Sequence, residues 1–237
     1  MMRSALLPEL AEWVLVMSGC SSRVDRSVKF AISAGPTRAG YHPVLVELYR
    51  LREVFDDHTA PRPIPAGARA SVAAIFRAGE AGTELLFIER ARREGDPWSG
   101  HMALPGGRVD PTDEHALATA ERETREEIAL DLSEAERLGR LDDLLGGARP
   151  ITVSVFGFWL KGPRPDLSPN YEVAEALWIP LLELADPERA VAYRYQLRER
   201  EIFPGIAIHG DRVVWGMTLR LLQDLFTRMG TPLSFPV

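Results

Sequence analysis

Between Arg122 and Glu127 the chain reads Arg-Glu-Thr-Arg-Glu-Glu. Written on a helix, Glu123 and Glu127 are i and i+4 and share a face, and Glu126 stands beside them. Like charges at that spacing repel, so the cluster costs stability unless a cation offsets it. Carboxylates grouped in this way suit hard divalent ions such as Mg²⁺ or Mn²⁺, and Mg²⁺ shares its shell with waters and substrate phosphates. Gly106 and Gly107 lie ahead of the acids and permit a sharp turn that brings backbone groups close to a ligand. Arg122 can orient one carboxylate through a bidentate pair. A solvated acidic face, partly compensated by Arg122 and Arg125, is the plain alternative. A glycine pair in a strand–loop–helix setting favours a site.

The acids must be held by a helix, and the sequence supplies one over Asp113–Glu127, with Ala116, Leu117, Ala120 and Thr124 as its apolar face and Thr112 or Asp113 as its cap. Ala70–Ala78 and Thr83–Ala91 flank "GEAG" and predict a hairpin. Ile151–Leu160, β-branched and aromatic, predicts a further strand, and Glu172–Leu181 another that ends near Pro180. Thr218–Met229 is a second helix, stopped by Gly230 and Pro232. Strands and helices without regular βα alternation imply an α+β fold, a mixed sheet with helices on its faces. Upstream, Leu45, Val46, Leu48, Tyr49, Leu51 and Val54 recur at helical spacing, so a helix is expected near 43–55. Residues 33–43 read as a loop and the Pro-rich stretch 60–68 as a connector. Residues 1–65 are therefore expected to form an N-terminal extension, and residues 66–237 the main domain.

The chain has 237 residues, 46% of them hydrophobic, enough for one domain with a core plus an extension. A net charge of −6 argues against non-specific nucleic-acid binding, which needs a basic face. Cys20 is the only cysteine, so neither an intrachain disulfide nor a cysteine-cluster zinc site can form. A reducing cytoplasm is the simplest fit. The apolar run Trp13–Met17 is far shorter than the roughly 20 residues of a membrane span. "VMSGC", ending at Cys20, looks like a lipoprotein cleavage box, but Glu9 and Glu12 fall in what would be its apolar segment, so a weakly structured leader is expected.

The stretch from Gly106 resembles the Nudix box, a glycine and a glutamate followed by Arg-Glu-apolar-x-Glu-Glu-x-Gly-apolar. Arg122, Glu123, Thr124, Arg125, Glu126, Glu127, Ile128, Ala129 and Leu130 match its second half. Gly107 to Glu114 match the first half with one extra residue, which displaces Glu114. Thr124 replaces an apolar residue, and Ala129 stands where a helix-ending glycine is usual. "GGRVDPTDEHALATAERETREEIAL" is similar to the coenzyme A pyrophosphatase branch of that family, as are "NYEVAEALWIPLLEL" and "RVVWGMT". In the upstream signature Arg90, Ala91 and Gly100 fit, although the spacing is one residue longer. The likeness runs from about Ser71 to Arg228.

The resemblance implies a Nudix-like α/β/α sandwich and hydrolysis of a nucleoside diphosphate linked to another moiety. It implies divalent ions, Mg²⁺ or Mn²⁺, on Glu123, Glu126 and Glu127, with a carbonyl near Gly107 completing the shell. The general base is one of the box acids, Glu126 among them, or a carboxylate on a later loop. Glu172 and Glu175 fit that place, with Glu172 preferred. Arg90 is carried over as a phosphate ligand, and Arg92 and Arg93 read as a solvated basic turn. Trp98 could stack on a nucleobase, with packing as its alternative, whereas Trp215 reads as core. Coenzyme A or an acyl-CoA is the expected substrate. ADP-ribose or a nucleotide sugar is the alternative, and a non-catalytic nucleotide-binding regulator the second. No nucleic acid or membrane partner is expected, and a homodimer is left open.

Overall fold

The computed structural model describes residues 23–25, 43–55, 68–146, 150–195, 201–233 and 235. The leader, the expected loop over 33–42 and the Pro-rich connector up to residue 67 lie outside them. Strand β2 (Ala68–Gly79) and β3 (Gly82–Arg90) form the expected hairpin, closed by a tight turn after Gly79. β4 (Met102–Ala103) and β5 (Gly106–Arg108) follow, then β6 (Glu136–Arg140), β7 (Leu144–Gly146), β8 (Ile151–Leu160) and β9 (Val173–Pro180). Their order runs β4-β3-β2-β8-β6, with β5 on β2, β7 on β8 and β9 on β3. β2 pairs parallel with β8 and the other pairings are antiparallel, so the sheet is mixed, as expected.

Alternation along the central strands explains the layers, because period 2 sends successive side chains to opposite faces. Ala73, Ile75, Leu86, Ile88, Phe156 and Phe158 form one buried cluster, which α2 (Ala116–Ile128) covers with Ala120 and Ile128. Ala74, Phe76, Leu85, Phe87 and Val155 form the other, covered by α1 (Pro43–Phe55), the short α3 (Leu181–Leu184) and α4 (Gly216–Arg228). Both faces are buried, which makes an α/β/α sandwich. The helix expected near 43–55 is present and belongs to the core, with Leu51 fully buried and Phe55 1% exposed. Gly157 makes room for it, since a Cβ there would strike the Phe55 ring. No helix among the described residues is long and apolar enough to cross a membrane.

A second sheet was not foreseen. β10 (Ala190–Arg194), β11 (Ile202–Ala207) and β12 (Val213–Trp215) join β1 (Arg23–Asp25) in the antiparallel order β1-β10-β11-β12. Its aromatic side chains pack around Trp215, which is core as expected, with Tyr193, Tyr195 and Phe203 at ring distances of 4.7, 4.8 and 5.5 Å. His101, left without a role by the sequence, closes this cluster edge-on against Trp215 at 5.0 Å and Tyr195 at 5.5 Å. Tyr195 donates its hydroxyl to the Pro97 carbonyl, and Thr218 its hydroxyl to the Met102 carbonyl, which locks the second sheet and α4 onto the loop before β4.

Burial lowers the His101 pKa to about 4, with the Arg90 charge adding to the effect and Asp96 opposing it. A depressed value means that this group's contribution to stability is complete above its unfolded value, near 6.5, and is lost as pH falls toward 4. Replacing His101 by Phe is expected to remove about 3 kcal/mol of the acid-side loss over that window. Urea unfolding of both chains at several pH values checks it, and parallel pH profiles would contradict it.

Candidate functional site

α2 begins later than expected. His115 is its N-cap, with Nδ1 accepting from the Ala118 N–H at 3.0 Å. Thr112 and Asp113 do not cap the helix, because Asp113 is committed elsewhere. Its carboxylate accepts both arms of the Arg122 fork, Nε at 2.9 Å and Nη2 at 3.0 Å, the Thr119 hydroxyl at 2.7 Å and the Asp110 N–H at 2.9 Å. These bonds hold the Asp113 carboxyl well below the usual carboxylate range and raise Arg122 further. Arg122 thus aims its bidentate fork at Asp113 rather than at a member of the acidic cluster. Its Nη1 reaches Glu123 at 3.0 Å and Glu126 at 3.1 Å, and Nη2 donates to the Arg108 carbonyl at 3.3 Å.

The three acids do not converge as one set. Glu127 is 2% exposed and accepts the Gly106 N–H at 2.9 Å. Burial raises its pKa to about 8, with the Glu123 and Glu172 charges adding to the shift and the Gly106 N–H and Arg90 opposing it. Glu123 is mostly covered, and burial pushes it up while Arg122 opposes. A Cβ on Gly107 would fall on the Glu123 carboxylate and displace it, so the glycine keeps the loop and this acid in close contact. Gly106 has φ of 147°, a conformation that favours glycine, and pairs with Val72 in β2. Glu126 is different. Its side chain is 57% exposed and turns toward Arg122. Among the described residues no three His, Cys, Asp or Glu side chains form a ready metal-ligand group. Glu114, displaced in the sequence, is exposed.

A divalent cation nevertheless suits what is here. Glu127 is a buried carboxylate with no ion pair among the described residues, set next to a second, mostly covered one, and every donor at hand is oxygen. Glu123, Glu127 and the Gly107 backbone would hold it. Glu126 could join only after leaving Arg122, and waters or substrate oxygens would complete the shell.

Other predicted residues divide into those near the acids and those elsewhere. Glu172 lies close enough to raise Glu123 and Glu127, and its carboxylate meets Arg93 at 3.5 Å. Glu175 is held by Arg212, which also pairs with Glu89 at 2.7 Å. Arg90 bonds Asp96 at 3.2 Å, while its buried Nε has no partner among the described residues. Arg92 is exposed, and Arg93 stacks over the Tyr171 ring at 4.7 Å. Trp98 is 41% exposed on the 91–100 loop, its N–H bound to Asp96. Two residues have parts that the sequence reading did not give them, Asp113, read only as a cap, and Asn170. Asp113 was legible in the Asp-Pro-x-Asp run, and Asn170 in "SPN", where the side chain is an obvious turn former.

Where a glycine was expected, Ala129 takes the left-handed conformation, φ 56° and ψ 27°, and its N–H closes on the Arg125 carbonyl at 3.0 Å. The turn survives because the chain from Ser168 to Asn170 binds the remaining carbonyls of the helix end. Ala129→Gly is therefore expected to stabilise the fold by about 0.5–1 kcal/mol by relieving that strain. Thermal unfolding checks this, and a lower melting temperature would refute it.

Comparison with known proteins gives a concordant result. The NUDIX domain family model matches residues 67–200. An uncharacterised Schizosaccharomyces pombe protein is 40% identical over 111 residues, 44% of this chain and 34% of that protein. The human mitochondrial coenzyme A diphosphatase NUDT8 is 32% identical over 147 residues, 56% of this chain and 58% of the relative. The alignments thus span between about a third and three fifths of these relatives. Among solved structures, a MutT/nudix family protein from Enterococcus faecalis superposes with a TM-score of 0.48 at 15% identity, over 81% of this chain and 71% of the other.

Proposed function

This chain belongs to the NUDIX family, whose hydrolases generally need a divalent metal, and from that premise we propose that it cleaves the diphosphate of coenzyme A or an acyl-CoA. The products are 3′,5′-ADP and (acyl-)4′-phosphopantetheine. The observation that carries the reaction is the buried Glu127 carboxylate on the Gly106 N–H, with Glu123 against Gly107. A divalent metal, which Glu123, Glu127 and the Gly107 backbone would hold, would supply charge neutralisation for the diphosphate and make an attacking water more acidic. Glu172, on the loop that faces these acids, accepts that water's proton as the new P–O bond forms and the anhydride P–O bond breaks. Arg90, with its Nε unpaired, holds a phosphate oxygen. Arg122 acts through Asp113, keeping the helix and the Arg108 carbonyl in register.

The choice of substrate rests on what adjoins the glycine pair. Gly106 and Gly107 also line a cavity of about 170 Å³, walled by Ala70, Val72, Leu104, Leu144, Met217 and Leu221. The Thr218 hydroxyl in its wall is already donated to the Met102 carbonyl. The hydroxyls of a second sugar would have that one side-chain acceptor to share, and each left unpaired would cost roughly 1–3 kcal/mol. An aliphatic pantetheine or acyl arm meets no such cost. This, with the likeness to the human coenzyme A diphosphatase, favours coenzyme A over ADP-ribose. The lone cysteine supports a reducing compartment.

A substrate panel with Mg²⁺ or Mn²⁺, read by phosphorus NMR, should show 3′,5′-ADP released from coenzyme A. Cleavage of ADP-ribose alone would move the assignment to that substrate. Binding of these compounds without cleavage of any would make the chain a non-catalytic nucleotide-binding regulator. Glu127→Gln should lower kcat by at least ~100-fold. It should also raise the melting temperature of the metal-free protein above pH 8, because a carboxyl with a raised folded value loses its contribution to stability as pH climbs through that value. An unchanged kcat in this variant would remove Glu127 from the site.

A further inference from the structure

An α-helix leaves its last four carbonyls without intrahelical partners. In α2 all four are taken. The Arg125 carbonyl accepts from Ala129 N–H at 3.0 Å and the Ile128 carbonyl from Ser168 N–H at 2.9 Å. Asn170 takes the other two, its backbone N–H donating to the Glu127 carbonyl at 2.8 Å and its side-chain Nδ2 to the Glu126 carbonyl at 2.9 Å. The same side chain turns its oxygen the other way. Asn170 Oδ1 accepts the Glu172 N–H at 2.7 Å. One planar amide therefore bridges the backbone of the acid helix to the backbone of Glu172.

We propose that Asn170 is the positioning residue that sets Glu172 against the Glu123 and Glu127 carboxylates, through the bond from Oδ1 to the Glu172 N–H. The proposal rests on the reading of Glu172 as general base. Few other contacts fix Glu172. Its carbonyl accepts the Ala91 N–H at 2.7 Å, which anchors one side of the residue to the end of β3. Among the described residues its carboxylate meets Arg93 alone, at 3.5 Å, a pair with side chains 43% and 36% exposed, and such pairs hold little. The Glu172 N–H has the Asn170 side chain as its acceptor, whereas the flanking residues are held by other bonds, the Val173 N–H by the Asn170 carbonyl at 3.2 Å and the Tyr171 carbonyl by the Arg93 side chain at 3.3 Å, and Glu172 lies just beyond the regular β3–β9 ladder. The charge of Glu172 reaches both Glu123 and Glu127, so the distance being set is one that matters electrostatically. The helix end keeps two backbone bonds, from Asn170 N–H and Ser168 N–H, when the amide is removed, which separates the two roles of the residue.

The test is a double-mutant cycle on the full chain, with coenzyme A as substrate, or ADP-ribose if coenzyme A is left intact. Asn170→Ala should lower kcat by ~10–100-fold with KM changed less than ~3-fold, the size expected when a reacting group is displaced by about 1 Å. In a Glu172→Gln background the same change should cost no more than ~2-fold. Asn170→Asp keeps the acceptor for Glu172 N–H and loses the donor to the helix, so it should restore kcat to within ~5-fold of the unmodified chain. A helix-capping role alone predicts the opposite, with Asp as damaging as Ala. Mn²⁺ affinity of the metal-free chain, followed by electron paramagnetic resonance, should change less than ~3-fold in Asn170→Ala. Equal losses in both backgrounds, failure of Asp to rescue, or a parallel loss of Mn²⁺ affinity each overturn the proposal. An impaired Glu172→Gln beside a fully active Asn170→Ala overturns it while leaving the base in place. A fully active Glu172→Gln, or no cleavage of either compound, removes the general-base reading and the role of Asn170 with it.

Discussion

The bond from the Gly106 N–H to the Glu127 carboxylate joins the strand-borne loop to the acid helix. A carboxylate 2% exposed carries a large desolvation cost, and one backbone N–H offsets part of it. The rest appears as a pKa raised to about 8, so near neutrality the metal-free protein keeps this group largely protonated. Moving Glu127 outward would remove the cost and also the tight approach of Gly106 and Gly107 to α2. Gly106 has no room for a Cβ, because the Ser71 carbonyl and Val72 backbone press on it, and a Cβ on Gly107 would push the Glu123 carboxylate from its place. The strain at the site and its chemistry have the same origin.

Around this bond the charges fall into two layers. Asp113 and Arg122 form a satisfied pair that ties the loop after β5 to the first turns of α2. Such a pair rigidifies because every strong donor and acceptor in it is engaged. Glu123, Glu127 and Glu172 are the opposite case, acids whose mutual repulsion is only partly offset by Arg122 and Arg90. A site that is unsatisfied by itself, set in a frame that is satisfied, is what binding a cation and a diphosphate requires. The loop from Ser168 to Glu172 closes the arrangement from the far side of α2, and Ala129 can adopt a glycine's conformation because that loop binds the helix end.

Legibility in the sequence followed the range of the interactions. α1, the β2–β3 hairpin, β8 and α4 were found within a residue or two because their apolar periodicity is long and local. β5, β7 and β12 are three residues each, too short for period 2 to register. β11 contains Pro204 and Gly205, which read as a turn. The cap of α2 was misplaced because Asp113 is an excellent cap by type, yet Arg122, nine residues away, offers it a stronger bond.

The sequence by itself determined that three acids would ride one helix behind two glycines, since spacing and residue type are local properties. It also determined the family and the sandwich, because both follow from patterns written along the chain. Which acid is buried was decided only by tertiary structure. Glu127 and Glu126 are adjacent and chemically identical, yet one meets Gly106, 21 residues upstream, and the other turns out to Arg122 and solvent. Burial and ionisation depend on what packs against a carboxylate, and that is set by partners distant in sequence, Gly106 ahead of the helix and Asn170, 44 residues past Glu126, behind it.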